Sequence, residues 1–343
     1  MLAYPKRGSG AAIAMAMGAL LAGTAVADDE TITWRIQSNL NEGEPGYVAV
    51  QEKFADLVEE MSDGRMQFQV YSVDSLFSIN DGLEAVASGI AEIGVLTGGY
   101  YSGQVGPFAT LENGVPGALR TPIESFTFFY NVGFLDLARE AYGEHGVYYL
   151  GPQISSAWDM MSKEKITSKE DFEGLRVRAF GLEADWYEEM GASAVMMSGG
   201  EIYTGLATGG LDAARWSSPA GNYNNSFHEV TDYYIEPSPM PVPNNFFAVN
   251  QDAWDSLPSD LQAIMQQAVI ASSIDYLARA KLEDAEAMQK MQDYGIEISQ
   301  IPDDEWLEME EIARELWQEY AEEDEFSKRG VEMLNSYLET LGR

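Results

Sequence analysis

Strand-like and helix-like segments alternate along this chain after residue 28, and this order constrains the fold more than any other feature. Apolar residues occupy every second position in Thr31–Gln37 and Met66–Ser72, which is the period of a β-strand, and they recur at helical spacing in Tyr47–Ser62 between them. A second alternating unit begins near Gly146. Strands separated by helices form parallel pairs with right-handed crossovers. The sequence therefore predicts an α/β fold of two units, with a ligand cleft beyond the C-terminal ends of the strands.

A proline-rich stretch connects the second unit back to the first. Prolines at positions 237, 239, 241 and 243 exclude a helix there, and the next segment, Asn245–Asn250, is predicted to be a strand that returns to the first unit. From Asp252 onward the pattern is mostly helical. These crossings predict one lobe from residues 28–152 plus 245–283 and a second lobe from residues 153–244 plus 284–343. Each lobe is expected to be a mostly parallel sheet flanked by helices.

The composition limits the chemistry available to the chain. Its 343 residues are 45% hydrophobic, enough for two domains with sizeable cores. There is no cysteine, and the two histidines, His145 and His228, are far apart, which disfavours thiolate or histidine metal sites and a Ser-His-Asp triad. No G-x-G-x-x-G opens a helix and no P-loop is present, so no cofactor is expected. A periplasmic hydrolase with paired carboxylates is the alternative class, and no acid pair or nucleophile motif supports it.

The N-terminus has the pattern of a secretory signal peptide. Lys6 and Arg7 give a positive start, Ala11–Ala22 is apolar, and Ala25–Ala27 has the small-x-small pattern of a cleavage site. The alternative is a membrane anchor, but the apolar run is shorter than the roughly 20 residues that span a bilayer. We therefore expect residues 1–27 to be removed and the mature protein, from Asp28, to be periplasmic without insertion into the membrane.

The charge of the chain excludes some partners. The formal net charge is −36, and without residues 1–27 there are 18 basic residues against 56 acidic ones, a charge of −38. Such a surface repels nucleic acid and anionic lipid, so neither is expected as a partner.

Two arginines at predicted strand ends are unusual in so acidic a chain. Arg178 lies near the end of the predicted strand Leu175–Phe180, and Arg215 closes the predicted strand Leu211–Trp216. A guanidinium can hold a carboxylate with two parallel hydrogen bonds. Arg176 lies earlier on its strand, away from the ligand edge, so we favour Arg178 as the ligand group. For either arginine the alternative is an ordinary ion pair with a neighbouring acid.

Other candidate ligand-binding residues are aromatic or polar side chains at predicted strand ends and loops. Trp216 follows Arg215 and could belong to the core or stack on a planar ligand, and both interpretations stay open. The remaining candidates are Asn245, Trp158, Tyr100 and Phe247. Most aromatic residues of this kind pack in the core, whereas one or two lining a cleft would be typical of a small-ligand site.

The chain resembles the solute-binding proteins of tripartite ATP-independent periplasmic (TRAP) transporters over nearly its whole mature length. The resemblance rests on Asp171–Arg178, which reads DFEGLRVR, and on Glu201–Ala213, which reads EIYTGLATGGLDA and is followed by Trp216 and Pro219. The second segment has one residue more than the family pattern between its leucine and its aspartate. The segment Phe54–Gly64 is also similar to the family.

The resemblance implies a two-lobed periplasmic binding protein fold with a long helix crossing both lobes. It implies a receptor that is not an enzyme, and that binds a small organic acid anion and delivers it to the membrane permease subunits of the transporter. The arginine that matches Arg178 holds the substrate carboxylate in this family, and Trp216 falls where the family has another pocket residue.

Within the family, the sequence around Tyr203 and Trp216 is most similar to that of the branch that binds 2-oxo or 2-hydroxy acids, often with a metal ion. That branch usually has glutamate immediately before the tryptophan, where this chain has Arg215. A guanidinium repels a cation, so no metal is expected. Two arginines would suit a ligand with two anionic groups or with a carboxylate and an oxygen-rich tail. The alternatives are an oxo or aromatic monocarboxylate or a sulfonate.

Overall fold

The computed structural model describes residues 31–343, so the predicted signal peptide at residues 1–27 lies outside the described residues. The strands in this range are β1 (Ile32–Gln37), β2 (Met66–Tyr71), β3 (Ile93–Leu96), β4 (Val147–Ile154), β5 (Trp158–Ser162), β6 (Arg176–Arg178), β7 (Ser193–Val195), β8 (Ala213–Arg215), β9 (Tyr233–Met240), β10 (Asn244–Asn250) and β11 (Glu297–Gln300).

Helices cover both sheets. The α-helices are α1 (Pro45–Val48), α2 (Asp56–Met61), α3 (Gly82–Ala87), α4 (Ser102–Val105), α5 (Phe108–Asn113), α6 (Pro122–Thr127), α7 (Phe134–Gly143), α8 (Leu182–Glu189), α9 (Gly199–Thr208), α10 (Pro219–Asn224), α11 (Gln251–Ser256), α12 (Ser259–Tyr294), α13 (Asp303–Tyr320) and α14 (Glu325–Thr340). The π-helical and 3₁₀ segments are Ala49–Ala55, Ile79–Asp81, Gly98–Tyr101, Phe128–Val132, Lys169–Phe172 and Phe227–Glu229.

The strands form two sheets, and we call each sheet with its helices a lobe. The first sheet has the order β2-β1-β3-β10-β4 and the second has the order β11-β9-β5-β8-β6-β7. The two-lobed α/β fold is confirmed, but both sheets are mixed rather than mostly parallel. In the first sheet β10 runs antiparallel to both neighbours, and in the second sheet β5 does so.

The antiparallel strands arise where the chain crosses between the sheets. It leaves the first sheet after β4 to begin β5, and it leaves the second sheet after β9 to begin β10, each time through a connection of three residues. The backbone N–H of Ser155 donates to the carbonyl of Pro243 at 3.1 Å, so the two connections lie side by side. Because the chain crosses one way after β4 and returns after β9, β10 pairs with β4 and β5 pairs with β9, and both pairs are antiparallel.

The long helix α12 connects the two lobes. Its 36 residues span about 54 Å. Met265 and Val269 in its first half belong to the core of the first lobe, and Met291 near its end packs with Ile202 and Leu206 of the second lobe. The helix ends at Gly295, whose φ of +121° favours glycine. The predicted helix crossing both lobes is therefore present.

The two C-terminal helices pack on different lobes. Helix α13 contacts α8 of the second lobe, whereas α14 contacts α5 and α7 of the first. The packing of α14 is close, because a Cβ added to Gly330 would lie 2.6 Å from Leu111. The division of the chain between the lobes at residues 153, 245 and 284 stays a prediction.

Candidate anion-binding site

Parallel strand ends bring the two candidate arginines together. Strand β6 pairs in parallel with β8, with Arg178 opposite Ala214, so Arg178 and Arg215 leave the sheet at the same edge. Arg176, two residues earlier, is exposed and pairs with Asp212, with 2.7 Å between Nη2 and Oδ1. The structure thus separates Arg176 from the ligand edge, as its position in the strand predicts.

Arg178 is fully buried and has no carboxylate partner. Its guanidinium donates to the carbonyl of Met197 at 3.1 Å, to the carbonyl of Arg215 at 3.3 Å and to the hydroxyl of Tyr100 at 3.3 Å. Among residues 31–343 no Asp or Glu forms an ion pair with it. Because a buried charge is costly without a counter-charge, this guanidinium is poised to accept an anion.

Burial lowers the pKa of the Arg178 guanidinium, and the positive charge of Arg215 lowers it further. Both effects penalise the charged form. An arginine nevertheless stays protonated at neutral pH, since its ordinary pKa is above about 12. The group cannot escape the cost of burial by releasing its proton, so an external anion is the remaining way to compensate it.

Arg215 differs from Arg178 because the chain supplies its counter-charge. Its guanidinium forms an ion pair with Glu183 on α8, and both side chains are buried, 3% and 4% exposed. The Tyr187 hydroxyl donates to Oε1 of Glu183 at 2.9 Å. Burial, with the Glu183 charge, raises the pKa of the Tyr187 phenol. The sequence-based expectation that Arg215 is a second free anion receptor is corrected here, because Glu183 already neutralises it.

Phe180 joins the two lobes at this point. Its ring lies 5.1 Å from the Arg178 guanidinium and 4.8 Å from that of Arg215, and it stacks on Tyr100 of the first lobe with centroids 4.9 Å apart. A Cβ added to Gly99 would lie 2.6 Å from this ring, which explains the glycine there. An aromatic face beside each cation is favourable.

Two tryptophans complete the wall of the site. The Arg178 guanidinium lies 4.9 Å from the ring of Trp216, and the Arg215 guanidinium lies 5.0 Å from the ring of Trp158. Trp216 packs against Gly199 at the start of α9, where an added Cβ would lie 2.3 Å from the indole. Its indole N–H is buried without a hydrogen-bond partner among the described residues. Trp216 is thus partly a core residue and partly a wall of the site.

The remaining two candidates lie in the first lobe, on β10. Asn245 is buried, where its Oδ1 accepts from Thr97 at 2.8 Å and its Nδ2 donates to Gln153 at 3.4 Å, and it makes no hydrogen bond to the arginines among the described residues. The structure does not bring Phe247 to the site. Its ring packs 4.7 Å from that of Phe54 in the core, because it lies two residues further into the strand than Asn245.

Sequence reasoning missed Phe180, Glu183 and the Met197 carbonyl. Phe180 and Glu183 come two and five positions after Arg178, where the chain passes from β6 into α8. An available signal was the arginine at position 215, since buried arginines are usually paired with an acid and Glu183 follows the strand beside it. Nothing in the sequence singles out the Met197 carbonyl, because every residue carries one.

The structure also contains a cavity away from this site. It lies between α5, the segment from Met240 to Asn244 and α14. Its lining is apolar apart from Asn244 and Glu112, and Glu112 is the one ionisable group in it. A site for an organic anion requires a cation or several donors, so this cavity is a poorer candidate for an anion site than the surroundings of Arg178.

The residues at the arginine site do not fit a metal ion. The position before Trp216 holds the Arg215 guanidinium, and the nearest carboxylate, Glu183, is already paired with it. Within residues 31–343 no group of three or more His, Cys, Asp and Glu side chains is placed to hold a metal ion. No step in the binding of a ligand is therefore assigned to a metal.

A two-lobed α/β chain with an uncompensated cation where its lobes meet defines a class of protein, the receptors that enclose a small anion between two lobes. Residues 36–324 match the sequence model of the bacterial extracellular solute-binding protein family 7, and the chain belongs to this family. It is therefore a solute receptor and not an enzyme. Solute-binding proteins of TRAP transporters act in the periplasm together with membrane permease components.

Individual relatives are similar over most of their length. The chain is 25% identical over 309 residues to a monocarboxylate 2-oxoacid-binding periplasmic protein of Nostoc, covering 89% of this chain and 84% of the relative. It is 25% identical over 338 residues to the ectoine-binding periplasmic protein of Halomonas elongata, covering 94% and 93%. A TRAP periplasmic solute-binding protein from Pseudoalteromonas atlantica, solved with bound sodium and pyruvate, superimposes with a TM-score of 0.82 at 25% identity, covering 91% and 95%.

Proposed function

We propose that this protein is the receptor of a TRAP transporter for a small organic acid anion, and that Arg178 anchors the carboxylate of that ligand. The observation that carries the proposal is the fully buried Arg178 guanidinium, which has no carboxylate partner among residues 31–343. A ligand carboxylate would supply the missing charge and accept two parallel hydrogen bonds from one guanidinium.

The contacts of Arg178 couple ligand binding to closure of the lobes. The guanidinium belongs to the second lobe, and its Nη2 donates to Tyr100 of the first lobe. A ligand held on Arg178 therefore lies where the two lobes meet. Closing around it removes water, and the attraction between guanidinium and carboxylate strengthens as the local dielectric constant falls. The closed, liganded form is the one we expect the permease subunits to receive.

The relatives guide the choice of ligand. The Nostoc relative is named for 2-oxoacids and the Pseudoalteromonas atlantica structure holds pyruvate. Short 2-oxo and 2-hydroxy acids are therefore the first compounds to test, followed by aromatic acids and sulfonates. A melting-temperature screen is suitable, because a ligand at about 100 times its Kd stabilises the folded state by about 2.7 kcal/mol.

The decisive comparison uses two arginines on one strand. Arg178→Ala should abolish the melting shift, whereas Arg176→Ala, which removes an exposed ion pair with Asp212, should leave it unchanged. If an acid shifts the melting temperature equally in the wild type and in Arg178→Ala, the ligand is held elsewhere. If no acid or sulfonate shifts the wild type, the protein is a receptor for another class of solute.

We further propose that residues 1–27 direct export and are then removed. Within residues 31–343 no helix is long and apolar enough to cross a membrane. The mass of the protein recovered from the periplasm should correspond to a chain that begins at Asp28. A mass that retains residues 1–27 would show that the segment stays attached as an anchor or leader.

A further inference from the structure

The buried positive and negative charges of the arginine site do not balance. It contains two buried guanidinium groups, Arg178 and Arg215, and one buried carboxylate, Glu183. Glu183 is fixed in place from two sides, by the ion pair with Arg215 and by the hydroxyl of Tyr187. The site therefore carries one uncompensated positive charge, and it lies on Arg178.

We propose that Glu183 determines the charge of the ligand, so that the receptor selects organic anions with a single negative charge against dianions of the same shape. This inference rests on the proposed function of Arg178 as the carboxylate anchor. A singly charged ligand brings the buried site to neutrality. A dianion would leave it with one net negative charge and would place its second carboxylate near Glu183, since Arg215, the other buried cation of this site, is already paired.

The unpaired donors of the site support the same conclusion. The Nε of Arg215 and the indole Nε1 of Trp216 are buried without hydrogen-bond partners in the described part of the chain. A neutral oxygen on the ligand, such as a carbonyl or hydroxyl group, can accept from such donors without adding charge. The chemistry of the site therefore fits a monoanion that carries a neutral oxygen in addition to its acidic group.

Glu183 acts here through charge rather than through shape. Its carboxylate repels a second anionic group, and a like-charge contact of this kind is one of the two ways in which a site discriminates against a wrong ligand. We expect the wild type to bind the singly charged member of a matched pair at least about tenfold more tightly than the doubly charged member.

The test uses ligand pairs that differ by one carboxylate, pyruvate with oxaloacetate and lactate with malate, titrated calorimetrically against the full mature chain. Glu183→Gln preserves the shape of the side chain and removes its charge. It should shift the ratio of the two affinities toward the dianion by at least about tenfold. Glu189→Gln, the same substitution at an exposed position of α8, should leave the ratio unchanged.

A wild type that prefers the dianion, or a folded Glu183→Gln protein with an unchanged ratio, would overturn the inference. Because Glu183→Gln leaves Arg215 without its partner, the variant could fail to fold. The double variant Glu183→Gln with Arg215→Gln retains a single net positive charge and should keep the wild-type preference, whereas a switch to the dianion would also overturn the inference. Failure of the proposed function has a different signature, because then no acid or sulfonate of the melting-temperature screen binds the wild type.

Discussion

Arg178 in the second lobe and Glu112 in the first lobe present the same physical problem with opposite sign. Both side chains are almost completely inaccessible to water, and neither has an oppositely charged side chain as a partner among the described residues. Burial of a charge without a partner is costly for both. The two regions resolve this cost in different ways, and this difference is the basis of the proposed anion site.

Glu112 can resolve the cost within the protein. The hydroxyls of Tyr142 and Tyr149 and the side-chain amide of Asn244 donate to its carboxyl oxygens. Burial raises the pKa of Glu112 to about 8, and these hydrogen bonds lower it only in part. At neutral pH the group therefore holds a proton and carries no charge. Arg178 has no such option, because a guanidinium keeps its proton, and we propose that a ligand supplies its counter-charge.

The first prediction tests whether Arg178 lacks a counter-charge within the protein. Arg178→Met removes the charge with little change in volume, and we expect the affinity for the acid ligand to fall at least about 100-fold, measured by titration calorimetry. The free energy of unfolding of the ligand-free protein should change little, since the lost hydrogen bonds are offset by the removal of an uncompensated buried charge. A large loss of ligand-free stability would mean that Arg178 is already compensated within the chain.

The second prediction concerns the neighbouring arginine. Arg215→Met leaves Glu183 as a buried carboxylate without its partner, so we expect a loss of about 3–5 kcal/mol in the free energy of unfolding. Chemical denaturation of the ligand-free protein measures it. Adding Glu183→Met to this variant should restore most of the loss. Equal effects of Arg178→Met and Arg215→Met would contradict the distinction between a free and a paired arginine.

The third prediction follows from the raised pKa of Glu112. Its pKa is about 8 in the folded protein against an ordinary value of 4.5, so the folded state holds a proton that the unfolded chain releases. The stability that Glu112 contributes is fully present below pH 4.5 and is lost as the pH rises to about 8, on the order of a few kcal/mol. Glu112→Gln should remove this loss, as measured by denaturation at several pH values.

The quantity to compare is the difference in the free energy of unfolding between the wild type and Glu112→Gln at each pH. The pH dependence of either protein alone is not sufficient. Burial also raises the pKa of Asp159 to about 6, so Asp159 titrates in the same range and contributes to both curves. Subtracting the two free energies of unfolding at each pH cancels this contribution. A difference that is independent of pH between 4.5 and 8 would contradict the assignment of Glu112 as a neutral acid.

The fourth prediction tests the hydrogen bond between the lobes. Tyr100→Phe removes the acceptor of Arg178 Nη2 and keeps the ring that stacks on Phe180. We expect the ligand affinity to fall about fivefold, the value of one hydrogen bond of about 1 kcal/mol. Tyr101→Phe is the matched control, because that hydroxyl donates to the carbonyl of Ile79 at 2.7 Å, and it should reduce stability without altering affinity. A loss of affinity in Tyr101→Phe but not in Tyr100→Phe would show that the Tyr100 hydroxyl does not contribute to ligand binding.

Much of the fold was predictable because it depends on local patterns. The alternation of strand and helix and the helical pattern after Asp252 were predicted from periodicity and were found at nearly the same residues. The proline-rich stretch is a crossing only at Pro241 and Pro243, because Pro237 and Pro239 lie in β9. The direction of β5 and β10 was not predictable in this way, since it depends on which lobe the chain enters after a short crossing. The strand ends also predicted that Arg178 and Arg215 lie together, because parallel strands present their C-terminal ends at one edge.

The site itself was predictable only in part. Tyr100, Trp158 and Trp216 do lie around the arginines, but Phe247 packs in the core. Periodicity assigns a strand residue to a face, whereas the depth of that face and the helix that covers it are set by packing. Phe180 and Glu183 were missed for the same reason, since their roles depend on how α8 lies against β6 and β8.

The sequence by itself determined the elements, the acidic surface and the identity of the groups available to bind an anion, because periodicity, charge and side-chain chemistry are local properties. The tertiary structure decided which of those groups are free. Glu183 reaches Arg215 across 32 positions of the chain, and Tyr100 reaches Arg178 across 78. Pairings between positions so distant in sequence depend on how the sheets and α8 pack together, and only that packing leaves Arg178 as a buried cation with no counter-charge among residues 31–343.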